Sequence, residues 1–179
     1  NFQTNKVVFA SNKLNIKKIK KNFLIEGTLE NKKSNLSKSF LDLIKFNYNY
    51  LVLENTKFSS NNKFSLEIDN KFNFKNSYIN SEIKIDKLYY KKPLLIENYF
   101  FDVNDLILLK DHKFFINLKN NILSIEGAGE IKLNKNFDKI KYYLNKNGED
   151  INITSDLNLQ TINFKNNYLL KNYLPSINE

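Results

Sequence analysis

Residues 125–134 read IEGAGEIKLN, and residues 25–31 read IEGTLEN. The pattern Ile-Glu-Gly-x-x-Glu therefore occurs twice, from Ile25 and from Ile125, in a chain with only four glycines. Two readings compete: coincidence in a biased alphabet, or the trace of a repeated strand unit. The matched contexts of Gly27 and Gly127 favour the repeat, because a glycine inside a strand permits a bulge or a bend in a long sheet. Around the second copy, Leu123 and Ile125, then Ile131 and Leu133, fall on one face of an extended chain.

The same two-residue period runs outward from this stretch. Asn22–Glu30 aligns Phe23, Ile25, Gly27 and Leu29, and Lys63–Asp69 aligns Phe64, Leu66 and Ile68. Tyr78–Lys87 aligns Ile79, Ser81, Ile83 and Ile85, and Lys113–Lys119 aligns Phe114, Ile116 and Leu118. Asp138–Asn145 aligns Ile140, Tyr142 and Leu144; then come Ile151 with Ile153, Leu157 with Leu159, and Ile162 with Phe164. Strands with one apolar and one polar face belong in antiparallel sheets with one side toward water. Asn61-Asn62, Asn70-Lys71, Asn120-Asn121 and Asn147-Gly148 read as turns, since Asn and Gly tolerate positive φ. Residues 36–47 (LSKSFLDLIKFN) break the rhythm; helical spacing with Ser37 as cap predicts a short helix there. Residues 98–109 fit a strand or a helical turn. The expected fold is all-β: an elongated, curled antiparallel sheet of repeated strands, forming a single β-rich segment over residues 1–179.

The composition excludes more than it suggests. All 28 basic residues are lysine, spread along the chain, and the net charge is +9. The densest basic patch is KKIKK, residues 17–21. Specific nucleic-acid readers lean on arginine for bidentate contacts, so nucleic acid is not the expected partner. There is no cysteine, hence no disulfide, thiolate nucleophile or Cys-based metal site. The chain starts at Asn1 and has no methionine, which reads as a mature form or an excerpt of a longer chain. Apolar runs such as LILL at 106–109 are far too short to span a bilayer.

Signatures of chemistry are missing. No GxSxG, HExxH, P-loop or GxGxxG motif occurs. The single histidine, His112, lies between Asp111 and Lys113 and reads as a surface residue at a turn; a general base needs a positioned partner. Asp102, Asp105 and Asp150 lack the spacing of a calcium loop and read as solvated acids. The aromatic pairs Tyr89-Tyr90, Phe100-Phe101, Phe114-Phe115 and Tyr142-Tyr143 cannot form stacking platforms, because strand neighbours point to opposite faces. The reading is therefore non-enzymatic, without cofactor or metal. What the pattern does demand is a cover for its apolar face. A second sheet closes on it, or the sheet curls around it and leaves a groove suited to an acyl chain.

Residues 127–164, GAGEIKLNKNFDKIKYYLNKNGEDINITSDLNLQTINF, resemble the repeating units of the AsmA-like family, the TamB and YhdP type of periplasmic protein. The likeness lies in glycine-punctuated strands followed by Asp-Lys-Ile-x-Tyr and another alternating strand. Residues 170–175 (LKNYLP) extend it, so that it lies mainly over residues 120–175. The few glycines and the expected helix depart from the family pattern. The resemblance implies a periplasmic protein anchored in the inner membrane through a part of the chain outside this sequence, with possible further subunits of an envelope assembly. It implies phospholipid as cargo, carried between membranes along a hydrophobic groove. The residues expected to line the groove are Phe64, Leu66, Ile68, Ile83, Ile85, Ile116, Ile140, Tyr142 and Ile153. Plain core packing is the competing role for each. The alternative function is a structural or adhesive surface protein, a β-sandwich or β-solenoid whose core is sealed.

Overall fold

The computed structural model describes residues 2–4, 7–43, 47–93 and 103–158. Ten strands and one short helix follow in the order β1 (Phe2–Thr4), β2 (Val7–Ile19), β3 (Asn22–Asn35), α1 (Lys38–Leu43), β4 (Leu51–Val52), β5 (Lys57–Ile68), β6 (Phe74–Lys91), β7 (Leu106–Lys119), β8 (Ile122–Lys132), β9 (Asp138–Asn147) and β10 (Asp150–Asn158). Every pairing is antiparallel. The path runs β1-β2-β3-β5-β6-β7-β8-β9-β10, with β4 attached to the end of β6 beyond the reach of β5. The all-β, antiparallel expectation holds. The sheet itself is open and uncurled rather than wrapped on itself. The expected strands at Leu159 and at Ile162–Phe164, residues 98–102 of the ambiguous stretch, and the stretch 170–175 lie outside the described residues.

Tight turns gather at one end of the sheet and long connections at the other. Ile19 pairs with Asn22, Lys119 with Ile122, and Asn147 with Asp150, so each of these hairpins turns in two residues. Such turns need positive φ to match the twist of the strands. Lys20 (φ 55°), Asn120 (46°), Asn121 (70°) and Gly148 (61°) supply it. The last turn is Gly148-Glu149, one residue later than expected, because Asn147 still pairs across the ladder. Asn61 and Asn62 are not a turn at all; both lie within β5. Pairing on both sides overrides the turn preference, and the Asn62 amide donates to the Leu29 carbonyl at 2.9 Å.

The two copies of Ile-Glu-Gly-x-x-Glu are equivalent in three dimensions. In the β2–β3 hairpin, Ile16 pairs with Ile25, Leu14 with Gly27, Lys13 with Thr28 and Ala10 with Glu30. In the β7–β8 hairpin, Ile116 pairs with Ile125, Phe114 with Gly127, Lys113 with Ala128 and Lys110 with Glu130. Each partner in the second hairpin carries the number of its counterpart plus 100. The ladder is even interrupted at the same place, between Ala10 and Lys13 and between Lys110 and Lys113. In both cases the first strand carries one residue more than its partner, the definition of a β-bulge. Gly27 then pairs onward with Phe64 of β5, as Gly127 does with Tyr142 of β9. The repeat is thus a unit of sheet, and the glycines sit where an aromatic side chain crosses the neighbouring strand.

The packed core lies toward the end with the long connections. Val7, Leu41, Phe58, Leu88, Ile107, Ile131 and Leu133 are its buried apolar residues, with Tyr90, Val103, Leu109 and Ile140 packed against the Ile107–Ile131–Leu133 cluster. Helix α1 covers part of this end. It spans Lys38–Leu43, with residues 44–46 of the expected 36–47 outside the described residues, and Ser37 caps it as expected, its Oγ accepting from the Phe40 N–H at 3.2 Å. A helix of this length has no stability of its own. Phe40 holds it to the sheet, 5.5 Å from the Phe58 ring and 5.9 Å from Phe9.

Candidate apolar binding face

Opposed residues in a ladder share a face, so the register decides which side chains stand together. Phe64, Leu66 and Ile68 of β5 oppose Gly27, Ile25 and Phe23 of β3. Ile83 and Ile85 of β6 oppose Phe114 and His112 of β7, and Ile116 opposes Ser81 and Ile125. Ile140 and Tyr142 of β9 oppose Gly129 and Gly127, and Ile153 of β10 opposes Leu144. All nine residues named from the sequence therefore stand on one face of one sheet. None belongs to the buried core: eight are half-buried and Ile153 is exposed. The alternation missed further members of the same face. Leu14 and Ile16 of β2, each 61% exposed, join it through Gly27 and Ile25.

The opposite face carries the charged pairs, interspersed with exposed aromatics such as Phe115 and Tyr143. Glu82 accepts from Lys113 at 2.9 Å and lies 3.4 Å from Lys84, and these lysines hold its carboxyl below the usual range. Lys110 donates to Glu130 at 2.9 Å. Exposed pairs of this kind contribute little stability; their effect is to keep this face wet. Two open hollows fit no acyl chain: one of about 310 Å³ is lined by Glu30, Lys32, Asn61, Glu82 and Lys84, and one of about 250 Å³ by Glu126, Lys141, Tyr143 and Asp156 among others. The apolar face is open surface, not an enclosed tunnel among the described residues.

Aromatic rings lie flat along that face over glycines. A Cβ at Gly27 would come within 2.8 Å of the Phe64 ring and 2.9 Å of the Lys13 carbonyl oxygen. At Gly127 it would overlap the Tyr142 ring. Only glycine admits this approach. Phe114 stands edge-on to Tyr142 with centroids 6.1 Å apart, and the His112 ring stacks on Tyr142 at 6.2 Å.

His112 overturns its expected place at a surface turn. It is 2% exposed and lies inside β7. The adjacent Asp111 takes a positive φ of 51° in the bulge, which drops the imidazole over Gly129. Its Nδ1 donates to the Lys110 carbonyl at 3.2 Å, leaving Nε2 as a buried acceptor without a partner. Burial lowers the imidazole pKa, opposed by the Lys110 carbonyl and the Asp111 charge. The folded chain thus binds this proton less readily than the unfolded chain. The stability is fully present above the unfolded value of about 6.5 and is lost as the pH falls from there through the folded value. Thermal unfolding from neutral to mildly acidic pH is expected to fall in the native protein and to flatten in His112→Phe. An unchanged slope in that variant would assign the acid sensitivity elsewhere.

Asp105 pairs with Lys92 at 3.0 Å, and Asp102 lies outside the described residues. Among the described residues no group of histidine and acidic side chains could hold a metal ion, and no helix is long and apolar enough to cross a membrane. No protein-family model, curated protein or solved structure matches the chain.

Proposed function

We propose that this chain is a non-enzymatic lipid-transfer segment of AsmA-like type, carrying phospholipid acyl chains along its apolar face between membranes, in a periplasmic protein anchored elsewhere in its length. The observation that carries this reading is the state of that face. One end is sealed by the protein's own core. The other, from the middle of the strands to the tight turns, keeps a continuous band of half-buried and exposed apolar side chains that no second sheet covers among the described residues. An acyl chain laid on it gains about 0.8 kcal/mol per buried methylene and needs no specific polar site. The same end bears exposed Lys18, Lys20, Lys21, Lys71, Lys119 and Lys146, placed to meet anionic headgroups.

The test is native mass spectrometry with lipid extraction on protein purified from its host membranes. Phospholipid is expected to co-purify, and to fall roughly tenfold when Leu66→Lys and Ile83→Lys are combined, each buried charge costing a few kcal/mol against hydrocarbon. Circular dichroism checks that the strands persist. A compact, stable, lipid-free native protein would end this reading in favour of a structural or adhesive role.

A further inference from the structure

The repeat indicates what the free edges of the sheet are built to meet. Strands β2, β3, β5 and β6 correspond to β7, β8, β9 and β10: the first two pairs share their register, Phe64 stands to Gly27 as Tyr142 to Gly127, and β10 flanks β9 as β6 flanks β5. Within the chain, the first unit joins the second through the β6–β7 ladder. Apart from the short β1 and β4, the strands left with an open side among the described residues are β10 and, beyond the short contact of β1 at Val7–Phe9, β2. These are the counterparts of β6 and β7, the two strands that already pair.

We propose that β10 of one copy pairs antiparallel with β2 of a second copy, repeating the β6–β7 junction and extending the sheet head to tail. Tyr78 pairs with Lys119 and Asn80 with Asn117 at the internal junction. Carried through the equivalence, that register sets Thr154 opposite Ile19, Asp156 opposite Lys17, and Asn158 opposite Asn15 of the second copy. Charge supports the match. Residues 149–158 hold Glu149, Asp150 and Asp156 and no lysine; residues 10–21 hold five lysines, Lys17 and Lys18 among them, and no acid. Asp156 and Lys17 are both exposed. Two copies of a chain of net charge +9 repel overall, and this pairing of edges sets an acidic strand against a basic one. The proposal does not depend on lipid binding.

Such a contact does not close on itself, so growth in whole-chain steps with concentration is expected in sedimentation velocity at low salt. Asp156→Lys and Lys17→Asp each place like charges across the junction and should weaken association about fivefold or more. Mixing the two variants re-creates an opposite pair at every junction and should restore it. Because the chain has no cysteine, Asn158→Cys mixed with Asn15→Cys should give a covalent pair, and Asn158→Cys mixed with Lys71→Cys should not. A monomer at all concentrations overturns the proposal. So does association that ignores the charge exchange and yields no Asn158–Asn15 crosslink.

Discussion

Phe58→Ala is expected to destabilise the protein by about 3–5 kcal/mol, the usual cost of deleting a buried aromatic ring. Phe58 is 5% exposed and stands at the junction of three elements. It stacks on Phe40 of α1, opposes Ile85 of β6 and pairs with Ser34 of β3. Removing it leaves a cavity under α1, and six residues of helix cannot stay folded without the sheet beneath them. Urea denaturation measures the loss, and far-ultraviolet circular dichroism should show the helical contribution disappear first. In a domain of this size the change corresponds to a drop in Tm of roughly 6–20 °C. Phe58→Leu should recover about half. A loss under about 1 kcal/mol would mean that α1 is held by something other than this ring.

Gly127→Ala is expected to cost about 1–3 kcal/mol, although alanine normally suits a strand better than glycine. The added Cβ overlaps the Tyr142 ring, which must leave its place between Phe114 and His112. Tyr142→Ala should relieve the clash. The Gly127→Ala and Tyr142→Ala double variant should therefore lose clearly less than the sum of the two single changes. Gly27→Ala should be rescued only in part by Phe64→Ala, since its Cβ meets the Lys13 carbonyl oxygen of the neighbouring backbone as well as the tip of the Phe64 ring. Strict additivity at both positions would remove the glycine–aromatic seats as the reason for the repeated motif.

Alternation fades where polar residues fill a regular ladder, as over residues 59–62 of β5, and where a bulge interrupts it, as in β2 and β7. Period two holds only while the ladder is regular. Lys63–Asp69, Tyr78–Lys87 and Lys113–Lys119 were legible as alternating runs, yet the strands continue well past them as β5, β6 and β7. In β7, His112 and Leu109 both face the apolar side although three residues apart, because Asp111 is the extra residue of the bulge. In β6, Ile85 and Leu88 shift in step with them. In β2 the interruption after Ala10 hides a strand whose far end reads as a basic patch, KKIKK. His112 was misplaced for the same reason: a histidine between two charges looks solvated unless the bulge that turns it inward is known.

The strand class, the apolar membership of each regular run and the paired glycines are legible in the sequence, because side-chain alternation and glycine's missing Cβ are local covalent properties. Folding sets how far each strand runs, that His112 is buried, that the sheet stays open, and that the two Ile-Glu-Gly hairpins are copies of one another down to the bulge. Those outcomes depend on register between residues distant in sequence, and register exists only once the partners have met.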